Sequence, residues 1–202
     1  MSRIVAAFIL LVAASAAFAQ DRDEAADAAL ERAVEALRSG VFHFEYDVSL
    51  QDGRITGSGY GDRNTNTWEY TVQGTPPTAN DGERIISGGA YYRNGAPAGP
   101  DFTNNAITGG VAPFDSYDDL SWFDGFTPLS HLGTVEVDGV PAEHYSFAVK
   151  DNFLYGTATF ELFLTETDAG VERIILETTP AGQEPNRVTY TRIGEIINVQ
   201  TP

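Results

Sequence analysis

Val41-Phe42-His43-Phe44-Glu45-Tyr46-Asp47-Val48-Ser49-Leu50 alternates without a break. Phe42, Phe44, Tyr46, Val48 and Leu50 fall on one side, and Val41, His43, Glu45, Asp47 and Ser49 on the other. Successive side chains of a strand point to opposite faces, so this segment reads as a strand with one long aromatic face to bury and one polar face to wet. A sheet with a large apolar surface follows from it, and the rest of the chain is read outward from there.

Immediately upstream, Asp21 to Ser39 has helical spacing, with Ala26, Leu30, Ala33, Val34 and Leu37 on one stripe. Asp21 or Asp23 caps it, Arg38 suits its last turn, and Gly40 is the expected stop. The stripe is mostly alanine, which lets the helix lie close against a sheet. Further upstream, Arg3, the apolar run Ile4 to Ala14 and Ala17-Phe18-Ala19 form an export signal cleaved before Gln20. The run is too short to span a bilayer. Residues 1–19 are therefore set aside, and residues 20–202 are expected to form one domain outside the cytoplasm, periplasmic or secreted. The chain has no cysteine, so it folds without disulfides and carries no lipid-modified cysteine.

Twelve basic residues stand against 29 acidic ones, a net charge of −17, and Lys150 is the one lysine. Such a surface repels phosphate backbones and anionic headgroups, which argues against nucleic acid and against tight membrane docking.

Downstream of the opening strand, Asp52-Gly53 is a hairpin turn and Arg54 to Asp62 returns. Gly57, Gly59 and Gly61 share one face there. They match neither a dinucleotide nor a P-loop pattern, and no helix follows; they read as a strand that coils sharply or lets another backbone approach. Thr67 to Gln73 puts Trp68, Tyr70 and Val72 on one side. Arg84 to Ser87 and Ala90 to Arg93 flank Gly88-Gly89, and Asn94 to Pro113 reads as a long Gly/Pro/Asn-rich connection. A short helix is expected near Ser116 to Phe123. The second half is a meander: Gly133 to Val137, Ala142 to Lys150, Gly156 to Thr165, Val171 to Thr178, Arg187 to Ile193 and Ile196 to Gln200. About ten strands are too many for a flat open sheet, so this mainly-β α+β chain is expected to curl an antiparallel sheet around its helix.

Catalytic signals are weak. His43 and His144 fall on polar strand faces and His131 in a loop, without metal-ligand spacing. There is no nucleophile elbow. Asp115, Asp118, Asp119 and Asp124 lack the spacing of an EF-hand and read as a solvated acidic loop. No cofactor or metal is expected. What remains is the inner face: Phe42, Phe44, Tyr46, Val48, Trp68, Tyr70, Tyr145, Phe147, Phe160 and Leu162. A plain core against the helix and an apolar cavity are both compatible with it. The slim alanine stripe is the feature that speaks for a cavity.

The order of a secretion signal, one helix, an aromatic F-x-F strand, Arg84-Ile85-Ile86-Ser87-Gly88-Gly89-Ala90-Tyr91-Tyr92 and the hairpin Val137-Asp138-Gly139-Val140-Pro141-Ala142-Glu143-His144-Tyr145 resembles the LolA-like superfamily of periplasmic lipoprotein carriers, especially its LppX/LprG type. The resemblance implies an unclosed half-barrel whose concave face takes up acyl chains without catalysis. It makes the ten inner-face residues the cavity lining and Trp122, Phe123 and Phe126 a lid. Lacking a lipobox cysteine, the chain would be released rather than tethered, and a monomer is expected. Two rivals remain: an envelope sensing module that binds a partner protein through the same fold, and a hydrolase without a recognisable motif.

Overall fold

The computed structural model describes residues 23–38, 40–50, 53–77, 79, 81–99, 127–152 and 156–195. Among these, the chain forms one helix and eleven strands. Helix α1 spans Glu24–Arg38. Asp23 caps it: its Oδ1 accepts hydrogen bonds from the backbone N–H groups of Ala25 and Ala26, both at 3.1 Å. The export signal, the helix expected near Ser116, the acidic loop around Asp115 to Asp124 and the strand at Ile196 to Gln200 all lie outside the described residues.

The strands are β1 Val41–Leu50, β2 Gly53–Asp62, β3 Thr67–Thr75, β4 Gly82–Ser87, β5 Ala90–Arg93, β6 Ala96–Ala98, β7 Ser130–Val137, β8 Val140–Asn152, β9 Gly156–Thr167, β10 Gly170–Pro180 and β11 Asn186–Thr191. They make a single antiparallel sheet in the order β6-β5-β4-β3-β2-β1-β11-β10-β9-β8-β7. Every neighbour is a sequence neighbour except at one seam, where the first strand pairs with the last. Two meanders, β1–β6 and β7–β11, are thus joined along β1 and β11, with Phe44 opposite Tyr190 and Tyr46 opposite Val188. The outer strands β6 and β7 do not pair with each other, so the sheet is an unclosed half-barrel. Register shifts between His131 and Gly133, Val149 and Asn152, and Val171 and Arg173 add the local twist that curls the C-terminal arm.

Two details differ from the sequence reading. Ala96–Ala98, read as part of a connection, is an edge strand paired with β5. The edge position is what admits Pro97, because a proline has no N–H to give a further neighbour. His131, read as a loop residue, stands in β7 opposite Tyr145, since that strand begins at Ser130 and absorbs the irregularity before Gly133 as a bulge.

Helix α1 packs on β7, β9 and β10. Ala26, Ala29, Leu30, Ala33 and Leu37 form its buried stripe. Two polar contacts pin it. Asp23 Oδ2 accepts from the backbone N–H of His131 at 3.2 Å, and Arg32 forks onto Glu166 of β9 at 2.8 and 2.9 Å. The fork is exposed and adds orientation more than stability.

Candidate functional site

The concave face is built from the centre outward. Phe42, Phe44 and Tyr46 of β1 stand opposite Gly61, Gly59 and Gly57 of β2. Beyond β2, Trp68 and Tyr70 of β3 stand opposite Gly61 and Gly59. The row without side chains is where the neighbouring rings collapse together. Trp68 packs edge-on to Phe42 and Phe44 at 5.7 and 5.8 Å, and Phe44 meets Tyr70 at 5.9 Å. Spacings and tilts of this kind suit the ring quadrupoles. A Cβ on Gly61 would come within 2.5 Å of the Trp68 ring and 3.0 Å of Phe42. On Gly59 it would strike the Glu69 carbonyl and the Tyr70 Cβ, and on Gly57 the Thr71 carbonyl and the Tyr46 hydroxyl. The three glycines are therefore required by close approach, of side chains as well as of the β3 backbone.

The β2–β3 ladder keeps one register but passes from Thr56–Gln73 to Gly59–Tyr70 without pairing the residues between. Into that gap Tyr46 reaches across Gly57, donating its hydroxyl to the Thr71 carbonyl at 2.5 Å. One side chain of β1 thereby ties down β3, two strands away.

On the other arm, Phe147 of β8 and Phe160 of β9 stack at 4.8 Å with their planes 11° apart. Tyr145 and Leu162 continue the same face. All ten inner-face residues expected from the sequence lie in or against one apolar cluster, nine of them buried and Val48 partly buried at its rim. The aromatic half of this face on β1–β3 is buried in the same cluster as the apolar stripe of α1. Trp122, Phe123 and Phe126 lie outside the described residues.

Sequence reasoning missed several members of the face. Val188 and Tyr190 of β11 alternate with Arg187, Thr189 and Thr191 as Val41–Leu50 does, so their signal was present in the sequence. Ile174 and Leu176 of β10 are buried beside them. Arg84, 3% exposed, stands opposite Tyr70. Burial also sets the chemistry of the face: the Tyr190 phenol, wholly enclosed, is pushed up to about 12, and Tyr145 is raised for the same reason.

The histidines are spread over the outer face and the β7 edge. His43 lies edge-on to Tyr60 at 5.1 Å, with Nδ1 3.4 Å from the Thr191 hydroxyl, and burial pushes its pKa down. His144 stacks on Phe163 at 4.5 Å and bonds Glu161 at 3.0 Å. His131 stacks on Tyr145 and bonds Glu143 at 2.5 Å. Each has one carboxylate or hydroxyl partner, and among the described residues no group of three or more metal-ligating side chains converges. Also outside the apolar face, Asp138 in the β7–β8 turn bonds both Arg173 of β10 and Arg187 of β11.

No protein-family model matches the sequence, and no curated protein matches it. Solved structures do. The lipoprotein LppX of Mycobacterium tuberculosis superposes with a TM-score of 0.55 at 14% identity, over 88% of this chain and all of LppX. LprF of Mycobacterium bovis does so with a TM-score of 0.52 at 13% identity, over 90% of this chain and 97% of LprF. At these identities the likeness is one of fold. The chain shares the unclosed half-barrel fold of LppX and LprF.

Proposed function

We propose that this chain is a lipid carrier of the cell envelope, exported by its first 19 residues, working as a single domain over residues 20–202 and holding acyl chains on its concave face without catalysing a reaction. The observation that carries the reading is the aromatic row on β1–β3, which gathers into one continuous apolar cluster on the concave face. In that reading Phe42, Phe44, Tyr46, Val48, Trp68 and Tyr70 contact the acyl chain, Tyr145, Phe147, Phe160 and Leu162 complete the cavity under the helix, and Trp122, Phe123 and Phe126 close over it. Apolar clefts with few polar groups are the usual form of such sites. A released, strongly acidic carrier stays soluble while loaded and is repelled from anionic bilayers except at its donor or acceptor.

The test is native mass spectrometry after gentle purification, combined with titration by nitroxide-labelled stearate. Trp68 and Trp122 are the two tryptophans of the chain, and both belong to the proposed cavity and its lid, so a bound nitroxide quenches their emission saturably. A protein with no adduct mass and no saturable quenching is not a lipid carrier. Phe44→Asp abolishes uptake, whereas Phe44→Leu, close in volume and apolar, retains it.

A further inference from the structure

Tyr190 of β11 stands between Phe44 of β1 and Ile174 of β10, and its ring meets Phe42 edge-on at 5.1 Å with an angle of 87°. Its ring thus belongs to the concave face. The residue is 1% exposed, and its buried hydroxyl makes no hydrogen bond. A phenol O–H shut away from water without an acceptor is unfavourable, and a phenylalanine would fill the same space without that cost. Tyr46, four strand positions from the end of β1 on the same face, shows the contrast: its hydroxyl has an acceptor within the fold, the Thr71 carbonyl. Among the described residues nothing plays that part for Tyr190. The charge of Arg63, in the turn after β2, opposes the upward effect of burial on the Tyr190 phenol.

We infer that the Tyr190 hydroxyl is the polar anchor of the bound lipid, donating a hydrogen bond to an acyl oxygen, either the carboxylate of a free fatty acid or the carbonyl of an ester. The inference rests on the carrier reading and sharpens it, because it fixes which end of the lipid lies against the β1–β11 seam. Burial keeps the phenol protonated throughout the neutral range, so it acts as a donor. The Arg63 guanidinium adds a field that favours a carboxylate over an ester at the same point.

The experiment uses the mature chain and its Tyr190→Phe variant, which differs by one oxygen and keeps the ring. A pyrene-labelled alkane is bound first and then displaced by palmitate, by methyl palmitate and by hexadecane. Expected is a loss of about fivefold to tenfold in the affinity of the oxygen-bearing ligands in the variant, with hexadecane and the pyrene-labelled alkane unchanged. A loss confined to palmitate, reproduced by Arg63→Gln, assigns a free carboxylate; a loss shared by methyl palmitate assigns a carbonyl. Equal affinities in variant and parent for all three competitors overturn the anchor and leave the carrier reading standing. A parallel loss for hexadecane also overturns it, since that is a packing defect. Failure of the parent protein to bind the pyrene-labelled alkane or any competitor overturns the carrier reading, and the anchor with it.

Discussion

Gly61 and Trp68 face each other across β2 and β3, and the indole lies where any side chain at position 61 would begin. A glycine in a strand ordinarily weakens it, and alanine is the better residue. Here the order is reversed. Gly61→Ala pushes a Cβ to 2.5 Å from a buried ring that also packs on Phe42 and Phe44. The expected cost is about 1–3 kcal/mol, read as a lower urea midpoint at unchanged slope. A gain in stability would mean that the ring row is not closed over β2.

Tyr46→Phe removes the one hydroxyl that reaches the Thr71 carbonyl in the gap of the β2–β3 ladder. The ring stays, so the effect is that of an acceptor left without its donor, about 1–3 kcal/mol. Amide exchange in β3 rises locally in the same variant. Exchange unchanged at Thr71 and its neighbours would show that the bond carries nothing.

His43 makes stability depend on pH. Its pKa is lowered in the fold, chiefly by burial and further by Arg192, against the opposing pull of Glu45. The unfolded chain, with a histidine near 6.5, therefore binds a proton more readily than the folded one. The contribution is complete above that value and is lost as the pH falls from about 6.5 toward the folded pKa. Urea midpoints at pH 7.5 and 5.5 give the drop, and it is smaller in His43→Gln. Equal drops in the two proteins would remove His43 from the account.

Asp138 serves two guanidiniums at once, those of Arg173 and Arg187. Asp138→Ala is expected to cost about 1 kcal/mol, more than an isolated surface pair, because both arginine side chains are mostly buried while the carboxylate is not. A double-mutant cycle with Arg187→Gln gives non-additive losses; additive ones would mean that the two contacts are independent.

The residues that were readable in advance share one property: their neighbours in sequence point away from them. Phe44, Tyr46 and Phe160 each sit between two charged or polar residues. Arg84-Ile85-Ile86 does not alternate, being buried at three successive positions, so period two says nothing about which face is which. Strand β6 was hidden by Pro97, although Asn94-Gly95 just before it adopts the left-handed pair φ 51° and 77° of a tight hairpin turn and is its sequence signal. The purpose of the three glycines needs the register with β1 and β3, which no local pattern contains. The Tyr190 hydroxyl needs more still, since a missing hydrogen bond is a property of everything around it.

The seam between β1 and β11 has a consequence for how the molecule is made. His43 pairs with Thr191, 148 residues away, whereas every other ladder joins strands that follow one another in the chain. Loop-closure entropy makes the hairpins of each arm the early events and the seam the late one. During synthesis β1 emerges first and waits, its seam edge open, until β11 arrives. The same logic makes the protein divisible: two chains cut between Gly99 and Thr127, each a complete meander, would be rejoined by the β1–β11 pair and by α1 packing on β7, β9 and β10.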